Sequence, residues 1–591
     1  MFRGFRWQLL GLIIAAVIFG LSFLTTQNGD DENPTPVPPA TLQPLQSVPT
    51  GIPTLEPTSV PQAVVEVVQP IQSAATVITY REALVGSIDR LNPLFAGLNS
   101  PEADITSLIF EGLVRINEFG EPQPALAKSW VISSDKLEYV FELRDDVLWQ
   151  DGLPFNAADV IYTMSILRSP DFPGAPELGA FWRSVETEQL GDHLVRFRLA
   201  QPLASFLDAL RIGILPAHAL QGTTAQQLAT HPFNLSPIGT GPYQLEALRT
   251  SGDSDAIEFV DLRAAPVYRQ RPEGQTGYAL ERLRFQLFES FVDAHVAFVA
   301  GDVDALAGRN REQRLDLLNT SANIYTATDA QLGVLIFNWV NDDKSYFRDQ
   351  RMRQALAMGL DRSTLIDRNL GNFAIRADSP LFPGSWAYST NFAWPPYSPE
   401  LTRQLLEALT PRLNREGDAA DSTGSLVSFE ILTPDDATLT NLAREVAAQW
   451  SQYNLNVTVT ALPASEYQSR LENAAFDVAL VEISLGGSAD PDVYPFWDSG
   501  QYPDGKNYGG MNDRRLSEFL ERARRDPNGI NRAQLYADFQ REFIERMAAI
   551  PLYYPLYTYA TTPTLSGLQL GFISQASDRF LTIQNWTLPA R

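Results

Sequence analysis

The residues best suited to bind a ligand lie in one loop, residues 486–508, GGSADPDVYPFWDSGQYPDGKNY. Asp490 and Asp492 can hold an ammonium group through charge-assisted hydrogen bonds, which strengthen when water is excluded. Tyr494 and Trp497 offer rigid apolar faces beside them. The loop follows an apolar strand-like run, and open α/β sheets bind ligands at the carboxyl ends of strands. We predict a binding site here. For each single residue, an equally good interpretation is that its side chain packs against the base of the loop itself.

Patterns that would support catalysis are weak in this chain. The histidines are His193, His218, His231 and His295. They lie far apart in sequence, and none belongs to a metal-binding pair of the HExxH kind. The GGSAD run lacks the G-x-S-x-G spacing, so Ser488 is not predicted to be a nucleophile. No catalytic residue, metal site or cofactor is predicted. A hydrolase that uses two carboxylates stays a minor alternative, because the sequence does not show their separation.

Composition narrows the choice of partner and compartment. A chain of 591 residues is expected to form two or three compact units. Its net charge of −25 argues against a nucleic-acid partner, because phosphate binding needs clustered lysine and arginine. The absence of cysteine excludes disulfides, thiolate metal sites, a cysteine nucleophile and a lipid-bearing cysteine.

The elements around the predicted site alternate between strand and helix. Strand-like runs cover residues 426–432, 455–461 and 476–483, with helical runs at 437–453 and from Ala464. This alternation predicts a parallel or mixed sheet. An apolar strand from Gln331 precedes these runs, and two helices at 513–525 and 532–549 follow the predicted binding loop.

A glycine-rich turn, PIGTGPYQL at residues 237–245, permits close backbone approach at Gly239 and Gly241. A phosphate-binding loop is rejected because the GK[ST] ending is missing. We predict a turn that enters a strand at Tyr243.

The N-terminus predicts a membrane segment followed by a stalk. Arg3 and Arg6 precede an uncharged apolar run at residues 7–24, and acidic residues follow it, which places the main body outside the cytoplasm. An uncleaved anchor and a cleaved signal peptide both fit this length, and we favour the anchor. Residues 27–75 are rich in proline, which favours an extended, disordered stalk.

Residues 122–163, PQPALAKSWVISSDKLEYVFELRDDVLWQDGLPFNAADVIYT, form a locally consistent strand, turn and helix. Alternating apolar residues predict a strand at 137–143. Asp151 and Gly152 predict a turn, and Asn156 predicts a helix cap with Asp159 three residues on. The succession ALAKSW, YVFELRDDVLW and DGLPFNAADVIYT resembles the signature of family 5 extracellular solute-binding proteins, which supply oligopeptide, dipeptide and nickel importers.

The resemblance implies an α/β fold: a two-lobed clamshell like that of periplasmic binding proteins, of the large cluster-C type with an extra subdomain. We expect a membrane segment at 1–26, a stalk at 27–75, lobe 1 at 76–335 completed by 556–591, and lobe 2 at 336–555. The extra subdomain is expected at about 111–236, and a hinge near residues 337–340.

The function implied by the resemblance is capture of a peptide or peptide-like solute for an ABC importer. Its expected partners are the solute, the permease subunits and, through the N-terminal segment, the membrane. The expected location is outside the cytoplasm. The alternative is a tethered sensor or interaction module that uses the same fold.

Family likeness also bears on the binding residues. In peptide-binding members an aspartate three residues before an acid-proline pair holds the α-amino group of the ligand. Asp490 and Pro491 match that pair, but Gly487 stands where the amine-binding acid is expected. Asp490 or Asp492 would then replace it, or the ligand carries no amine. Trp386 and Tyr388 resemble another region that lines the cleft of the family.

Overall fold

The protein is described by a computed structural model that covers residues 77–250, 256–269, 278–416 and 425–589. The predicted membrane segment at 1–26 and the stalk at 27–75 lie outside the described residues.

The strands are β1 (Thr79–Val85), β2 (Val114–Ile116), β3 (Pro122–Pro124), β4 (Ala127–Ile132), β5 (Glu138–Leu143), β6 (Val185–Gly191), β7 (Leu194–Leu199), β8 (Tyr243–Thr250), β9 (Ile257–Ala264), β10 (Arg282–Phe288), β11 (Ala305–Gly308), β12 (Asn323–Thr328), β13 (Gln331–Phe337), β14 (Ala374–Arg376), β15 (Val427–Pro434), β16 (Leu455–Leu462), β17 (Val478–Ser484) and β18 (Ile550–Thr561).

The α-helices are α1 (Ser100–Ile109), α2 (Ala157–Arg168), α3 (Pro176–Arg183), α4 (Phe206–Ala209), α5 (Ala225–Leu228), α6 (Pro266–Arg269), α7 (Phe291–Ala300), α8 (Arg311–Leu318), α9 (Gln350–Met358), α10 (Arg362–Asn369), α11 (Pro399–Glu416), α12 (Ala437–Ser451), α13 (Ala464–Glu472), α14 (Tyr494–Trp497), α15 (Arg514–Arg525) and α16 (Gly529–Arg546).

One large mixed sheet forms the frame, as the alternation of strands and helices predicts. Its strands run in the order β16-β15-β17-β13-β18-β11-β1-β10-β9-β8, and β12 and β14 pair with β18. Strand β15 is parallel to β16 and β17, whereas β13 is antiparallel to β17 and β18. Both faces of β13 are buried, because Leu332, Val334 and Ile336 pack into one apolar cluster and Leu335 and Phe337 into another.

Strand β18 joins the two halves of this sheet. Its first part, up to Pro555, pairs with β13 and β14, and its second part, from Leu556, pairs with β12 and β11. The chain crosses between the two halves of the sheet a second time, between β12 and β13. There the Asp329 N–H donates to the Pro555 carbonyl at 3.0 Å. The pairing therefore favours a lobe border at residues 328–331. The expected hinge at 337–340 follows β13, which is already paired along its length with β17.

A separate four-stranded sheet, β4-β5-β7-β6, lies within the region expected to be the extra subdomain. Its local predictions are confirmed. Strand β5 ends at Leu143, and the Asn156 side chain accepts from the Ala158 N–H at 2.8 Å while Asp159 accepts from the Asn156 N–H at 3.0 Å. This capping box begins α2 at Ala157.

The glycine-rich turn has the close backbone approach that its sequence predicts. A Cβ on Gly239 would lie 1.8 Å from the Ile109 carbonyl oxygen, and one on Gly241 would lie 2.5 Å from that of Leu108. No larger residue fits here without moving backbone. The turn packs against the end of α1 and enters β8 at Tyr243.

Candidate functional site

A cleft of about 760 Å³ lies where β18 passes from one half of the sheet to the other. The middle of β18, from Tyr553 to Tyr557, forms its floor, and α1 and the segment 573–577 line one side. The start of α12 and Gly486 line the other side. Residues 309–311, Asp436 and Gly486 follow the carboxyl ends of β11, β15 and β17, which is where sheets of this kind bind ligands.

The charges on the two sides of the cleft differ. Arg309 and Arg311 line the side of β11, and both are exposed. Asp436 and Glu482 line the side of β15 and β17. The Glu482 carboxylate accepts from the Tyr553 hydroxyl at 2.7 Å, whereas Asp436 caps α12 by accepting from the Leu439 N–H at 2.9 Å. The cleft can therefore orient a ligand that carries charges of both signs.

Asp329 lies at the passage between the two halves and also lines the cleft. Burial raises the pKa of its carboxyl, and the neighbouring Arg309 acts in the opposite direction. Asp329 is half-buried.

A buried ionic cluster lies next to the cleft, which Asp104 of the cluster also lines. Arg579 donates to both carboxylate oxygens of Asp104 at 2.8 Å and to Glu82 at 2.8 Å. The hydroxyls of Tyr80 and Tyr559 also donate to Glu82, each at 2.8 Å. This cluster ties the C-terminal segment to β1 and α1 and holds that side of the cleft in place.

Gly487 is the one predicted binding residue that lines the cleft in the described part of the chain. Its φ of +89° is a left-handed conformation that favours glycine. Its carbonyl accepts from Arg211 at 3.4 Å. A Cβ there would meet only the Gln575 side chain, at 3.7 Å, so the position opens into the cleft.

Asp490 instead forms a buried ion pair. Its two carboxylate oxygens accept from Arg532 of α16 at 2.6 and 2.7 Å, and both side chains are about 5% exposed. Arg532 also donates to the Ala523 carbonyl and the Tyr536 hydroxyl. Burial alone would lower the pKa of Arg532, and the facing Asp490 raises it above its ordinary value.

The next part of the loop also packs against the helices that follow it. Asp492 accepts from Arg524 of α15 at 2.6 Å, and burial raises the pKa of its carboxyl. The same guanidinium lies 4.6 Å from the ring centre of Tyr494. Trp497 is 3% exposed and meets Phe543 edge-on at 4.9 Å. The side chains of Asp492, Tyr494 and Trp497 thus contact other side chains of the protein.

Trp386 joins the same cluster, because its ring lies 5.1 Å from the Arg532 guanidinium and 5.8 Å from Tyr536. Tyr388 is half-buried beside it, and burial raises the pKa of its hydroxyl. The structure thus brings Asp490 and Trp386 together around Arg532, with Asp492 and Tyr494 around Arg524 nearby, rather than along the cleft.

A polar contact connects the loop after β17 to the region expected to be the extra subdomain. The Ser488 hydroxyl donates to Asp208 at 2.8 Å, and Arg211 donates to Asp208 and to Asp578. Asp208 lies in α4 and Arg211 follows the end of that helix, so this contact joins two segments that are about 280 residues apart in the chain. It fixes Gly487 at the mouth of the cleft.

Residues 121–505 match the profile of the bacterial extracellular solute-binding proteins, family 5. The chain belongs to this family. As a family 5 solute-binding protein it acts outside the cytoplasm, and the two-part sheet with an intervening cleft fits the two-lobed fold of periplasmic binding proteins. The predicted family is therefore confirmed.

Curated relatives include oligopeptide-binding protein AppA of Bacillus subtilis, 24% identical over 500 residues, which cover 82% of this chain and 88% of AppA. Di/tripeptide-binding protein 2 of Pseudomonas aeruginosa is 25% identical over 475 residues, covering 76% and 84% of the two chains.

Two solved structures show the same fold. NikZ from Campylobacter jejuni, solved with Ni(L-His), is 27% identical with a TM-score of 0.61, and the match covers 86% of this chain and 99% of NikZ. HbpA2 from Haemophilus parasuis is 18% identical with a TM-score of 0.72, and the match covers 86% and 100% of the two chains.

Several cleft residues of this solute-binding protein were not predicted. Arg309 and Arg311 follow β11, and the rule that drew attention to residues 486–508 applies equally to the end of that strand. Tyr557 lies inside an apolar strand and carries no local signal. Among the described helices, none has both the length and the apolar content needed to cross a membrane.

Proposed function

We propose that this protein captures a peptide or peptide-like solute and delivers it to an ABC importer. The observation that carries the proposal is the cleft at the middle of β18, whose walls come from both halves of the sheet and carry opposite charges. Relatives named for peptide binding support the class of ligand.

The proposed mechanism is closure of two lobes over the solute. The two halves of the sheet are connected by two neighbouring chain passages, between β12 and β13 and at Pro555, where the Asp329 N–H donates to the Pro555 carbonyl. A small change of backbone angles there would rotate one lobe against the other. Solute bound to both walls favours the closed form, and the importer would recognise that form without any bond being broken.

Titration of the full-length protein with a dipeptide and tripeptide library, followed by native mass spectrometry, tests the ligand class. A solute at one hundred times its Kd stabilises the folded state by about 2.7 kcal/mol. The melting temperature of the compact unit Ala74–Arg591 should therefore rise by about 2–3 °C. Absence of any bound peptide, with no rise in melting temperature, would reject the proposal.

Small-angle X-ray scattering tests closure separately. The radius of gyration should fall when a bound peptide is added, and an unchanged value at saturation would reject closure but not binding. Loss of peptide uptake on deletion would distinguish an importer component from a tethered sensor. Turnover of the bound peptide would point to a hydrolase.

For the N-terminus we propose an anchor at 1–26 and an extended stalk at 27–75, on the basis of the sequence. N-terminal sequencing of the mature protein tests this, since a start between residues 22 and 33 would show that the segment is a cleaved signal peptide.

A further inference from the structure

Helix α7 presents an apolar face to solvent. Val292, Val296 and Val299 are four and three residues apart, which places them on one side of the helix, and they are between 63% and 67% exposed. The opposite side of α7 is buried in an apolar cluster with β11. Valine is a weaker helix former than alanine or lysine, so helix formation does not account for three valines at exposed positions. We call these three residues the valine face.

A groove of about 470 Å³ adjoins the valine face, because Val299 belongs to both. Phe298 of α7 lines the same side of the groove, and residues 319–322, which follow α8, line the other side. His295 also lines the groove, and its Nε2 has no hydrogen-bond partner among the residues that the structure describes. The groove therefore offers apolar walls and one unused polar atom to an occupant.

The groove and the solute cleft lie at opposite ends of β11. Val303 and Asp304, just before this strand, line the groove, whereas Arg309, just after it, lines the cleft. The strand has four residues, so it separates the two by about 13 Å, at about 3.3 Å per residue. An occupant of the groove therefore leaves the cleft open to a solute.

Negative charge surrounds this apolar surface. Asp293 and Asp302 are exposed beside the valine face, and Asp316 lines the groove. The described residues that line the groove include no lysine or arginine. Arg81 approaches it, but the guanidinium of Arg81 donates to the carboxylate of Asp304 at 3.3 Å. A partner with positive charge around an apolar face would complement this arrangement.

Two other occupants match this surface less well. A second copy of the chain would bring the aspartates of both copies together, and like charges across an interface are costly. The chain before Val77 enters at the groove end of the sheet, because β1 runs parallel to β11. Residues 7–76, however, carry five acids and no lysine or arginine. Charge therefore favours a cationic partner from outside the chain.

We propose that the valine face and the groove dock a cationic amphipathic helix of a partner protein. Apolar residues of that helix, three and four positions apart, would pack on the valine face and into the groove. Its flanking lysines or arginines would pair with Asp293, Asp302 and Asp316. This docking surface is separate from the cleft, so the proposal does not depend on the proposed function.

Three synthetic peptides of about 18 residues with blocked ends, each about 27 Å long as a helix, test the class of partner. The first has leucine on one helical face and lysine on the other. The second replaces every lysine with glutamate, and the third has the lysine and leucine in an order that forms no apolar face. In fluorescence anisotropy with the full-length protein, the first should bind at least about tenfold more tightly than either control. Equal binding of the first peptide and a control, or no binding of the first, would overturn the proposal.

Replacing the valine face locates the contact. A triple variant with alanine at Val292, Val296 and Val299 loses methyl groups but keeps a strong helix former, so its melting temperature should be unchanged or higher. Its affinity for the lysine-leucine peptide should fall at least about tenfold. Ile530→Ala is the matched control, because Ile530 is an exposed apolar residue of α16 that does not line the groove. Unchanged affinity in the triple variant, or an equal loss in Ile530→Ala, would contradict the assignment.

A second triple variant tests the charges. Asparagine at Asp293, Asp302 and Asp316 should weaken binding of the lysine-leucine peptide about five- to tenfold at low salt. A control variant removes the same charge from three exposed aspartates elsewhere, Asp145, Asp171 and Asp504. Its affinity should stay within about twofold of wild type. Equal losses in the two variants would show general attraction to an acidic protein and would overturn the docking surface.

Hydrogen exchange and sedimentation distinguish the remaining occupants. The lysine-leucine peptide should protect amides of residues 291–303 and 316–322. Protection confined to residues 309–311 and 573–577 would place the peptide in the cleft and overturn the proposal. Sedimentation velocity of the protein alone should show a monomer. A wild-type dimer that the triple alanine variant loses would make a second copy the occupant, which would also overturn the proposal.

Discussion

The ion pair between Asp490 and Arg532 allows a direct test of whether the loop at 486–508 binds ligand or builds the lobe. Replacing Asp490 with asparagine keeps the size of the side chain but removes its charge. Arg532 would then be a buried cation without a directly bonded counter-ion, since it is 5% exposed and its other hydrogen-bond acceptors are a carbonyl and a hydroxyl. Removing one partner of such a pair typically costs about 3–5 kcal/mol.

The expected shift in melting temperature follows from the size of the unit. The compact unit Ala74–Arg591 has an unfolding entropy of about 1.1 kcal/mol/K, from the usual value per residue. For cooperative unfolding, the loss of about 3–5 kcal/mol lowers the melting temperature of Asp490→Asn by about 3–5 °C. Asp504→Asn is the matched control, because Asp504 is exposed in the same loop, and its melting temperature should change by less than about 0.5 °C.

A double-mutant cycle with Arg532→Met identifies the pair as the cause. The methionine keeps part of the apolar stem beside Trp386 and removes the buried charge, so the double variant should be more stable than Asp490→Asn alone. The coupling energy should be about 1–3 kcal/mol. The reasoning is refuted if Asp490→Asn leaves the melting temperature unchanged and instead lowers peptide affinity, because Asp490 would then be a ligand-binding residue.

Other expected outcomes concern the frame of the cleft. Gly239→Ala should destabilise the fold by more than about 2 kcal/mol in chemical denaturation, because its Cβ meets backbone at Ile109. Gly529→Ala, which has open space, should be neutral, and an equal loss in both would contradict the argument. Asn156→Ala should cost about 1 kcal/mol through loss of the cap of α2; an unchanged unfolding free energy would count against it. Burial raises the pKa of Asp208, so the folded state binds that proton more tightly than the unfolded state. Wild type should therefore lose stability relative to Asp208→Asn as pH rises from about 3.9 through the raised pKa, and melting curves between pH 3 and 7 should show the two diverging in that direction.

Elements specified by neighbouring residues could be predicted from the sequence. The cap at Asn156 with Asp159 involves residues three apart, and β5 at Glu138–Leu143 follows from the alternation of apolar residues. The close approach at Gly239 was also predictable as a type of contact. Its partner, Ile109, was not, because it lies 130 residues earlier in the chain.

The site was harder to predict because its chemistry depends on distant partners. Acids beside aromatic residues suit an ammonium ligand, and they suit a buried arginine equally well. In the structure the partner of Asp490 is Arg532, which lies 42 residues later in α16. The sequence does not show that this face of α16 packs against the loop, so it does not show which partner Asp490 has. The position of the loop after β17 was informative, since Gly486 and Gly487 do line the cleft.

Gly487 explains why the acidic groups of the cleft lie elsewhere. The backbone there has a left-handed conformation, which an aspartate adopts only with strain, and its carbonyl is held by Arg211. An amine-binding acid at this position would strain the backbone next to the contact between Ser488 and Asp208. Glu482 reaches the same cleft from within β17, where the pairing with β13 sets its direction and Tyr553 holds its carboxylate. The cleft thus has a carboxylate, Glu482 of β17, as well as Arg309, and an acid in the loop is not needed to supply negative charge.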